Sequence, residues 1–258
     1  MKSAPPLRLG AVKRLALIDA VLDSAYGTPE ADLDNKSDPL DEAIYIILSF
    51  QTDLARFRST WSRLRAAYPS WDALERAAVR DVTRILRDGG LHRQKTRTIR
   101  RLLAEVRKVA GELSLDRLRL MNNEDAEALL VRLPGLSWKS ARCVLLYSLG
   151  RDALPVDSNT FRILKRTGVL SRPAVYRRRS LHDAIQAAVP AHRRRALHVN
   201  LVVHGQRICL PRSPRCTLCP LLVECPKVGL PSGARKRKQA PPVKAPNAHA
   251  GGGGDARL

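Results

Sequence analysis

Residues 124–142 of this chain read EDAEALLVRLPGLSWKSAR, which is the pattern of two helices joined by a short turn. Apolar residues at helical spacing lead into the turn Leu133-Pro134-Gly135-Leu136, and a second helical pattern begins near Ser137, a suitable N-cap. Two helices joined so tightly leave the first amides of the second helix facing outward, where they can bind one backbone phosphate. The turn alone is a weak signal, because any pair of helices could be joined in this way.

Helical periodicity also dominates the rest of the chain. Ile99, Leu102 and Val106 recur on one apolar face, as expected for an amphipathic helix. Further helices are predicted near residues 40–50, 53–67, 71–87, 124–132, 138–149, 157–167, 177–189 and 191–204. Turn sequences separate these segments, and the sequence has no convincing alternation of apolar and polar residues. It therefore predicts an all-α fold.

Four of the five cysteines lie close together, at Cys209, Cys216, Cys219 and Cys225. Six, two and five residues separate them, so four thiolates can surround one inorganic centre. Iron–sulfur clusters are held by four thiolates, whereas a zinc ribbon normally brings two Cys-x-x-Cys pairs, of which only one is present. The pattern favours an iron–sulfur cluster over zinc, with disulfides or coincidence as the remaining interpretations. Spacing alone indicates a four-thiolate metal site more firmly than iron.

The chain is strongly basic, with 46 Lys and Arg against 24 Asp and Glu and a formal net charge of +22. Such a field attracts polyanions, and the release of counterions from phosphates drives the association. A basic surface that is merely solvated is the alternative. The sequence has no run of eighteen apolar residues and no secretory signal, so we expect no membrane contact and a reducing, cytoplasmic location.

The composition changes after the last cysteine. Residues 229–258 are rich in Pro, Ala, Gly and Lys and end in GGGGDARL. A segment of this composition buries too little apolar surface to offset the entropy that is lost on ordering. We predict a basic, disordered tail that either adds loose affinity for DNA or is inert.

Five pieces of the sequence together resemble the endonuclease III branch of the helix–hairpin–helix DNA glycosylases. They are LSFQTD (48–53), GLHRQK (90–95), LPGLSWKSA with Lys139, VDSNTFRI with Asp157, and the cysteine loop. All occur in the family's order, over residues 10–228, and the combination is far more specific than any piece alone. The resemblance implies that the loop holds a [4Fe-4S] cluster.

The resemblance also implies two helical lobes with the active site in the cleft between them. A six-helix barrel lobe at 36–150 would contain the helix–hairpin–helix. A cluster lobe would be built from both chain ends, 10–35 and 151–228.

The activity implied is base-excision repair: a DNA glycosylase with AP lyase activity that removes damaged pyrimidines, with oxidised ones expected, from duplex DNA. A stacked base hides its glycosidic bond, so the nucleotide must flip out at a cost of roughly a few kcal/mol. By position, Gln51 would fill the gap, Leu91 would wedge into the stack and His92 would lie beside it. From the residues alone, Gln51 as a polar helix end and Leu91 as a core residue are the simpler interpretations.

Two residues match the family's catalytic positions. Lys139 would attack the anomeric carbon of the flipped nucleotide, and the Asp157 carboxylate would stabilise the positive charge that develops on the sugar. The resulting Schiff base would permit β-elimination of the 3′ phosphate. Because attack needs a neutral amine, we expect the helix N-terminus and burial under DNA to lower the pKa of Lys139. Taken alone, Lys139 could be a phosphate clamp and Asp157 a helix cap.

The resemblance places further DNA contacts at Gly135 and Ser137 of the hairpin. The cysteine loop presents Arg212 and Arg215 between its first two thiolates, where they could meet phosphates. A monomer associated with the bacterial nucleoid is implied, acting on duplex DNA with a damaged base or abasic site. Two alternatives stay open: a related glycosylase of other base preference with weak or no lyase activity, and a non-catalytic, cluster-bearing protein that binds DNA damage.

Three positions depart from the family pattern. Ser137 replaces the hairpin's usual second glycine and is followed by Trp138, which could alter the amides that grip phosphate. The family's LSAQATD is LSFQTD here, one residue shorter, with bulky Phe50 before Gln51. Asn159 stands where endonuclease III often has histidine. We expect these changes to affect the choice of substrate more than the class of reaction.

Overall fold

A computed structural model describes residues 6–28, 34–171 and 174–230 of the chain. Within these ranges the structure is helical and has no β-strand, only one isolated antiparallel bridge between Leu7 and Leu170. The all-α prediction is therefore confirmed. No helix of the described ranges is both long and apolar enough to cross a membrane. The tail predicted to be disordered, 229–258, lies outside the described residues apart from its first two positions.

Eleven α-helices form in the described part of the chain, joined in places by single 3₁₀ turns. They are α1 (Ala11–Tyr26), α2 (Pro39–Ser49), α3 (Leu54–Ala67), α4 (Trp71–Arg76), α5 (Val79–Ile85), α6 (His92–Ala110), α7 (Asn123–Arg132), α8 (Trp138–Tyr147), α9 (Ser158–Arg166), α10 (Arg179–Ala187) and α11 (Arg194–Arg207). The predicted segments agree with these bounds to within three residues, with one exception.

The exception is the segment 71–87, which was predicted as one helix and forms two. α4 and α5 are separated by Ala77 and Ala78, whose backbones are extended, with ψ values of 149° and 137°. Arg100 of α6 donates a hydrogen bond to the Ala77 carbonyl oxygen at 2.8 Å, a group that a continuous helix would use internally. A tertiary contact thus replaces the helical bond that two alanines would otherwise favour.

Helices α2 to α8 enclose the first of two hydrophobic cores. Helix α2 is buried on nearly all sides and forms the middle of this core. Pro39 occupies its first turn, and the Asp38 carboxylate caps it by accepting from the Asp41 amide at 2.7 Å. The apolar face of α6, including Ile99 and Leu102, packs fully buried against the same core.

Helices α1, α9, α10 and α11 form the second core, to which Leu221 of the cysteine loop also belongs. Helix α11 is its central helix, buried along most of its length. The chain passes from one core to the other between Ala153 and Leu154. The two cores lie where the lobes 36–150 and 10–35 with 151–228 were predicted; that each lobe is a separate domain stays a prediction.

Contacts between α8 and α10 join the two cores. The buried guanidinium of Arg142 donates to Glu127 at 2.6 Å and to Asp183 of α10. At the start of α8, the Trp138 ring lies 4.8 Å from the guanidinium of Arg179, also on α10. These contacts fix the first turn of α8, and with it the hairpin, against the second core.

Candidate active site

Residues 133–137 join α7 to α8 in a tight hairpin. Gly135 has a φ of 87°, in the left-handed region that favours glycine. A Cβ at this position would lie 2.3 Å from Thr98 Cγ2 and 3.3 Å from Ile47 Cδ1, so no side chain fits. The hairpin therefore packs directly on α2 and α6, which hold it in place.

Ser137 is the N-cap of α8. Its Oγ accepts a hydrogen bond from the Ser140 amide at 3.4 Å, and its side chain is exposed. Its φ of −124° and ψ of 175° are extended values that any residue adopts, so the backbone here does not require glycine. A serine can therefore occupy this position without backbone strain. First-turn amides of α8 that Ser137 does not cap have no intrahelical acceptor and suit a phosphate.

Lys139 is half-buried in the first turn of α8. Burial alone lowers the pKa of its amine, but negative charge on Cys143, Asp157, Tyr176 and Glu42 outweighs this effect. The pKa of Lys139 is therefore raised above its ordinary value of 10.5. The predicted lowering is wrong for the protein without DNA, because three of the four neighbouring acids come from other segments of the chain.

Asp157 caps α9, and both of its carboxylate oxygens are engaged. Oδ1 accepts from the Thr160 amide and Oδ2 from Asn159 Nδ2, each at 2.7 Å. Burial alone raises the pKa of Asp157, but the hydrogen bond from the Thr160 amide and the positive charge of Lys139 lower it below its ordinary value. The carboxylate is thus ionised, fixed in orientation, and close enough to Lys139 for each charge to shift the pKa of the other.

Glu42 of α2 is a second carboxylate near Lys139, and it was not predicted. Its side chain is fully buried and accepts from Asn35 Nδ2 at 2.6 Å and from the Lys36 amide at 2.7 Å. Burial raises the pKa of Glu42 above its ordinary value. A single acid inside the otherwise apolar stretch 42–48 is the sequence signal that could have revealed it.

His198 and Tyr147 are two further polar residues of this region that were not predicted. His198 is 3% exposed, and burial lowers its pKa to about 4 despite the opposing charge of Asp157, so its ring is neutral at physiological pH. The rings of His198 and Tyr147 are 5.9 Å apart. Among the described residues, neither His198 Nδ1 nor the Tyr147 hydroxyl has a hydrogen-bond partner. Asp157 therefore remains the ionised base of this cluster.

A chain of hydrogen bonds connects Asp157 with the cysteine loop. Beyond its bond to Asp157, Asn159 accepts through Oδ1 from Arg162 Nη2 at 2.8 Å, and Arg162 Nε donates to the Cys209 carbonyl at 2.8 Å. Helices α9 and α11 meet closely here, since a Cβ on Gly205 would lie 2.5 Å from Asn159 Cβ. The residue that departs from the family pattern thus positions the carboxylate.

Gln51 and Leu91 lie on two neighbouring loops, and both have left-handed backbones. Their φ values are 51° and 48°, which is rare for residues other than glycine. Both side chains are exposed, Leu91 at 41%, which excludes the interpretation of Leu91 as a core residue. Such strain at exposed side chains is typical of functional positions. His92 follows, half-exposed, as the first residue of α6.

Lys95 of α6 ties these two loops together. Its Nζ donates to the Leu48 and Gly89 carbonyl oxygens, each at 2.7 Å, and to Thr52 Oγ1 at 2.6 Å. The Thr52 hydroxyl in turn donates to the Gly89 carbonyl at 2.5 Å. Lys95 is 3% exposed, and burial lowers its pKa to about 8. It lies within the quoted GLHRQK, yet only the structure shows that its ammonium is buried between the loops.

The four cysteines of the loop line one pocket. Arg166 Nη1 donates to Cys209 Sγ at 3.2 Å, and His204 Nε2 lies 3.6 Å from Cys219 Sγ. Burial, reinforced by charge on the other three thiols, raises the pKa of Cys219 to about 12. Thiols in this setting ionise readily only when a positive centre compensates them. Within the described ranges, no three His, Cys, Asp or Glu side chains converge as ligands of a single metal ion.

Most of the predicted DNA-contact residues lie on the surface. Arg212 and Arg215 are exposed on the cysteine loop, between its first two thiols. The exposed set also contains Gln51, Leu91, Gly135 and Ser137.

Comparisons with known proteins match this chain to a family of DNA repair proteins. Residues 44–184 match the family described as HhH-GPD superfamily base excision DNA repair protein. Endonuclease III of Bacillus subtilis is 26% identical over 191 residues, which cover 73% of this chain and 81% of that protein.

Two Arabidopsis thaliana proteins are also similar. One, named as a candidate DNA glycosylase, is 28% identical over 170 residues, 66% of this chain and 57% of its own length. The other, DNA glycosylase/AP lyase ROS1, is 26% identical over 170 residues, 60% of this chain and 12% of its own length. The chain thus spans only part of these relatives.

Solved structures of endonuclease III share the fold. A non-covalent complex with DNA superimposes with a TM-score of 0.70 at 22% identity, over 84% of this chain and 95% of that one. A trapped covalent intermediate with DNA gives a TM-score of 0.73 at 21% identity, over 84% and 96%. At this identity the likeness concerns the fold alone.

Proposed function

Because the chain belongs to the HhH-GPD superfamily of base excision DNA repair proteins, we propose that it is a DNA glycosylase with AP lyase activity. Its proposed substrate is duplex DNA with an oxidised pyrimidine or an abasic site, bound by one copy of the chain. The observation that carries the proposal is that Lys139 and Asp157, at the starts of α8 and α9, lie close enough for each charge to shift the pKa of the other. A relative named DNA glycosylase/AP lyase supports it.

Recognition begins with the phosphate backbone and ends with a flipped nucleotide. The hairpin amides at the start of α8 bind one phosphate, and the strained loops insert Gln51 and Leu91 into the duplex. Unstacking a base costs roughly a few kcal/mol, and these insertions offset that cost. Lys95 holds both loops in the inserting conformation, because its ammonium bonds to each of them.

Proton transfer must precede attack, because the raised pKa keeps Lys139 protonated at neutral pH. Asp157 is ionised and is fixed by two hydrogen bonds, and it lies close enough to Lys139 for their charges to interact. It therefore accepts the proton of Lys139 once DNA closes the site. The Lys139 nitrogen then bonds to C1′ while the glycosidic bond breaks, and the departing base takes its electron pair and the proton from Asp157.

Strand cleavage follows from the covalent intermediate. Loss of a proton from Lys139 nitrogen and ring opening give a Schiff base, which acidifies the C2′ protons. Removal of one C2′ proton breaks the bond between C3′ and its oxygen, and the 3′ phosphate leaves with the electron pair. Asp157, ionised again once it has given its proton to the departing base, stabilises the positive charge of the Schiff base.

One observation favours a second candidate, a glycosylase without lyase activity. If the raised pKa of Lys139 persists on DNA, the amine stays protonated and cannot attack. Lys139 would then hold a phosphate, and water would attack C1′ with Asp157 as its base. The two candidates differ in one product: only the amine mechanism cuts the strand without alkali.

We infer that Cys209, Cys216, Cys219 and Cys225 hold a [4Fe-4S] cluster. The four thiols line one pocket, and Arg166 donates to one of their sulfurs, as suits a negatively charged thiolate cluster. When bound, the cluster fixes the loop and so presents Arg212 and Arg215 to DNA. Iron and sulfide analysis of anaerobically purified protein tests this. About four of each per chain supports it, whereas stoichiometric zinc contradicts it.

A panel of duplexes tests the activity. It contains thymine glycol, dihydrouracil, a uracil mismatch and 8-oxoguanine opposite adenine. We expect the two oxidised or reduced pyrimidines to be released with strand cleavage in the absence of alkali. Lys139→Gln should abolish this cleavage, and Asp157→Asn should bind DNA but release no base.

Other outcomes of the panel would contradict the proposal. Release that yields strand breaks only after alkali identifies the second candidate. Binding of damaged duplexes without any release identifies a non-catalytic damage-binding protein. Preferred release of uracil or adenine assigns another base preference to the same site.

A further inference from the structure

A groove of about 640 Å³ between α5 and α6 is lined mainly by arginine. Only one of its lining residues, Val79, is a large apolar residue, so the groove does not suit an apolar ligand. Its exposed arginines are Arg80, Arg84, Arg87, Arg93, Arg97 and Arg101. None of these was assigned a role above.

The protein leaves most of this charge without a counter-ion. Within the groove, Arg84 pairs with Asp81. The neighbouring acid Asp88 pairs instead with Arg63 of α3. Across the ranges that the structure describes, no ion pair involves Arg80, Arg87, Arg93, Arg97 or Arg101.

The spacing of these charges destabilises the two helices in the free protein. Arg93, Arg97 and Arg101 follow one another at four-residue intervals on α6, and like charges at this spacing repel. The Arg80 and Arg84 pair on α5 repeats the pattern on the facing helix. Neither pattern helps the fold, whereas an anion lying between the helices would relieve both.

The groove is continuous with the residues expected to enter DNA. His92 lines it and directly follows Leu91, the proposed wedge. From Arg93 to Arg101 the α6 axis advances about 12 Å, which matches three to four nucleotide steps of one strand. Arginine also suits this ligand, because its planar fork can bond two phosphate oxygens at once.

We propose that the groove binds the phosphate backbone of the same duplex on one side of the lesion, whether or not the base is damaged. This rests on the proposed function only in that duplex DNA is the substrate. The groove is thus a binding site for phosphates that flank the lesion, separate from the hairpin and the cysteine loop.

Binding to three duplexes tests the groove. A core duplex of about one helical turn carries a non-cleavable abasic analogue, and two others extend it by about ten base pairs on one side only. The groove variant is Arg93→Gln/Arg97→Gln/Arg101→Gln. The matched control, Lys13→Gln/Arg117→Gln/Lys165→Gln, loses the same charge from exposed positions that do not line the groove.

The wild-type protein and the control should bind one of the extended duplexes roughly tenfold more tightly than the core. The groove variant should lose this gain, bind the core as the wild type does, and show a salt slope smaller by about 2 to 3 on the extended duplex. The proposal would be overturned if the extension raised the affinity of the groove variant as much as that of the wild type. Equal losses of affinity in the groove variant and the control would also overturn it. So would a wild type that gains nothing from either extension. Because binding alone is measured, an inactive enzyme leaves this test valid.

Discussion

The Asn159 amide donates to the Asp157 carboxylate at 2.7 Å, and the Asn159 carbonyl accepts from Arg162 at 2.8 Å. Together with the Thr160 amide on the other oxygen, Asn159 therefore sets the direction of the carboxylate. A hydrogen bond to a charged group contributes about 1.5–3 kcal/mol, so Asn159→Ala should slow base release roughly tenfold to hundredfold. Affinity for DNA should not change. Single-turnover kinetics and titration of labelled duplex measure the two quantities.

Asn123→Ala serves as the control for this prediction, because the Asn123 side chain accepts a hydrogen bond from Arg151 and, among the described residues, has no bond to Asp157. Equal slowing in both variants, or wild-type turnover in Asn159→Ala, would contradict the positioning role.

Glu42 should raise the pKa of the Lys139 amine. It is among the acids that raise the pKa of Lys139, and a negative neighbour favours the protonated amine. Glu42→Gln removes this charge, so the pKa of Lys139 falls and the amine becomes neutral at lower pH. The pH profile of borohydride trapping on abasic DNA should therefore move to lower pH. Glu112→Gln, at an exposed site, is the control. A profile that stays in place or moves to higher pH argues against this coupling.

Lys95 should govern insertion of the two loops. Lys95→Met keeps the length of the side chain but removes three hydrogen bonds to Leu48, Gly89 and Thr52. We expect base release to slow roughly tenfold or more, since each buried acceptor left unpaired costs about 1–3 kcal/mol. A 2-aminopurine beside the lesion reports flipping by its fluorescence, and this signal should rise more slowly.

Lys108→Met, an exposed lysine of the same helix, should match the wild type. If Lys95→Met lowers thermal stability yet flips the base at the wild-type rate, Lys95 is merely structural.

Arg142 should stabilise the first core through its buried pair with Glu127. Arg142→Ala leaves Glu127 buried without its partner, and breaking a buried pair costs about 3–5 kcal/mol. Asp183 is nearly half exposed, so its pairing adds little. Denaturant unfolding should show a loss of this size, and adding Glu127→Gln should restore part of it. Arg56→Ala, which breaks an exposed pair with Asp53, should change stability by less than about 1 kcal/mol.

Local patterns predicted much of this structure. Helical periodicity and turn residues predicted α2, α3 and each helix from α6 to α11 as single segments, and the hairpin follows from Leu133-Pro134-Gly135. The break at Ala77 was missed, because it depends on Arg100, a residue more than twenty positions away. Periodicity reports a residue's own helix and carries no information about such partners.

In the candidate site, too, sequence patterns predicted some residues, whereas the roles of others depend on partners that only the fold brings near. Lys139 and Asp157 could be picked from motifs, but the direction of the Lys139 pKa depends on several acidic groups, Asp157 and Glu42 among them, that come near it only in the folded chain. Lys95 and His198 matter because they are buried, and a lysine or histidine in an amphipathic helix is usually solvated. Their roles therefore required the structure.

Locating the covalent bond to DNA tests most directly whether Lys139 is the nucleophile. Full-length protein is incubated with abasic duplex and borohydride, digested, and the cross-linked peptide is sequenced by mass spectrometry. A reduced adduct on Lys139, absent from Lys139→Gln, is the predicted result. An adduct on another residue, or none at all while base release proceeds, would contradict the claim that Lys139 is the nucleophile.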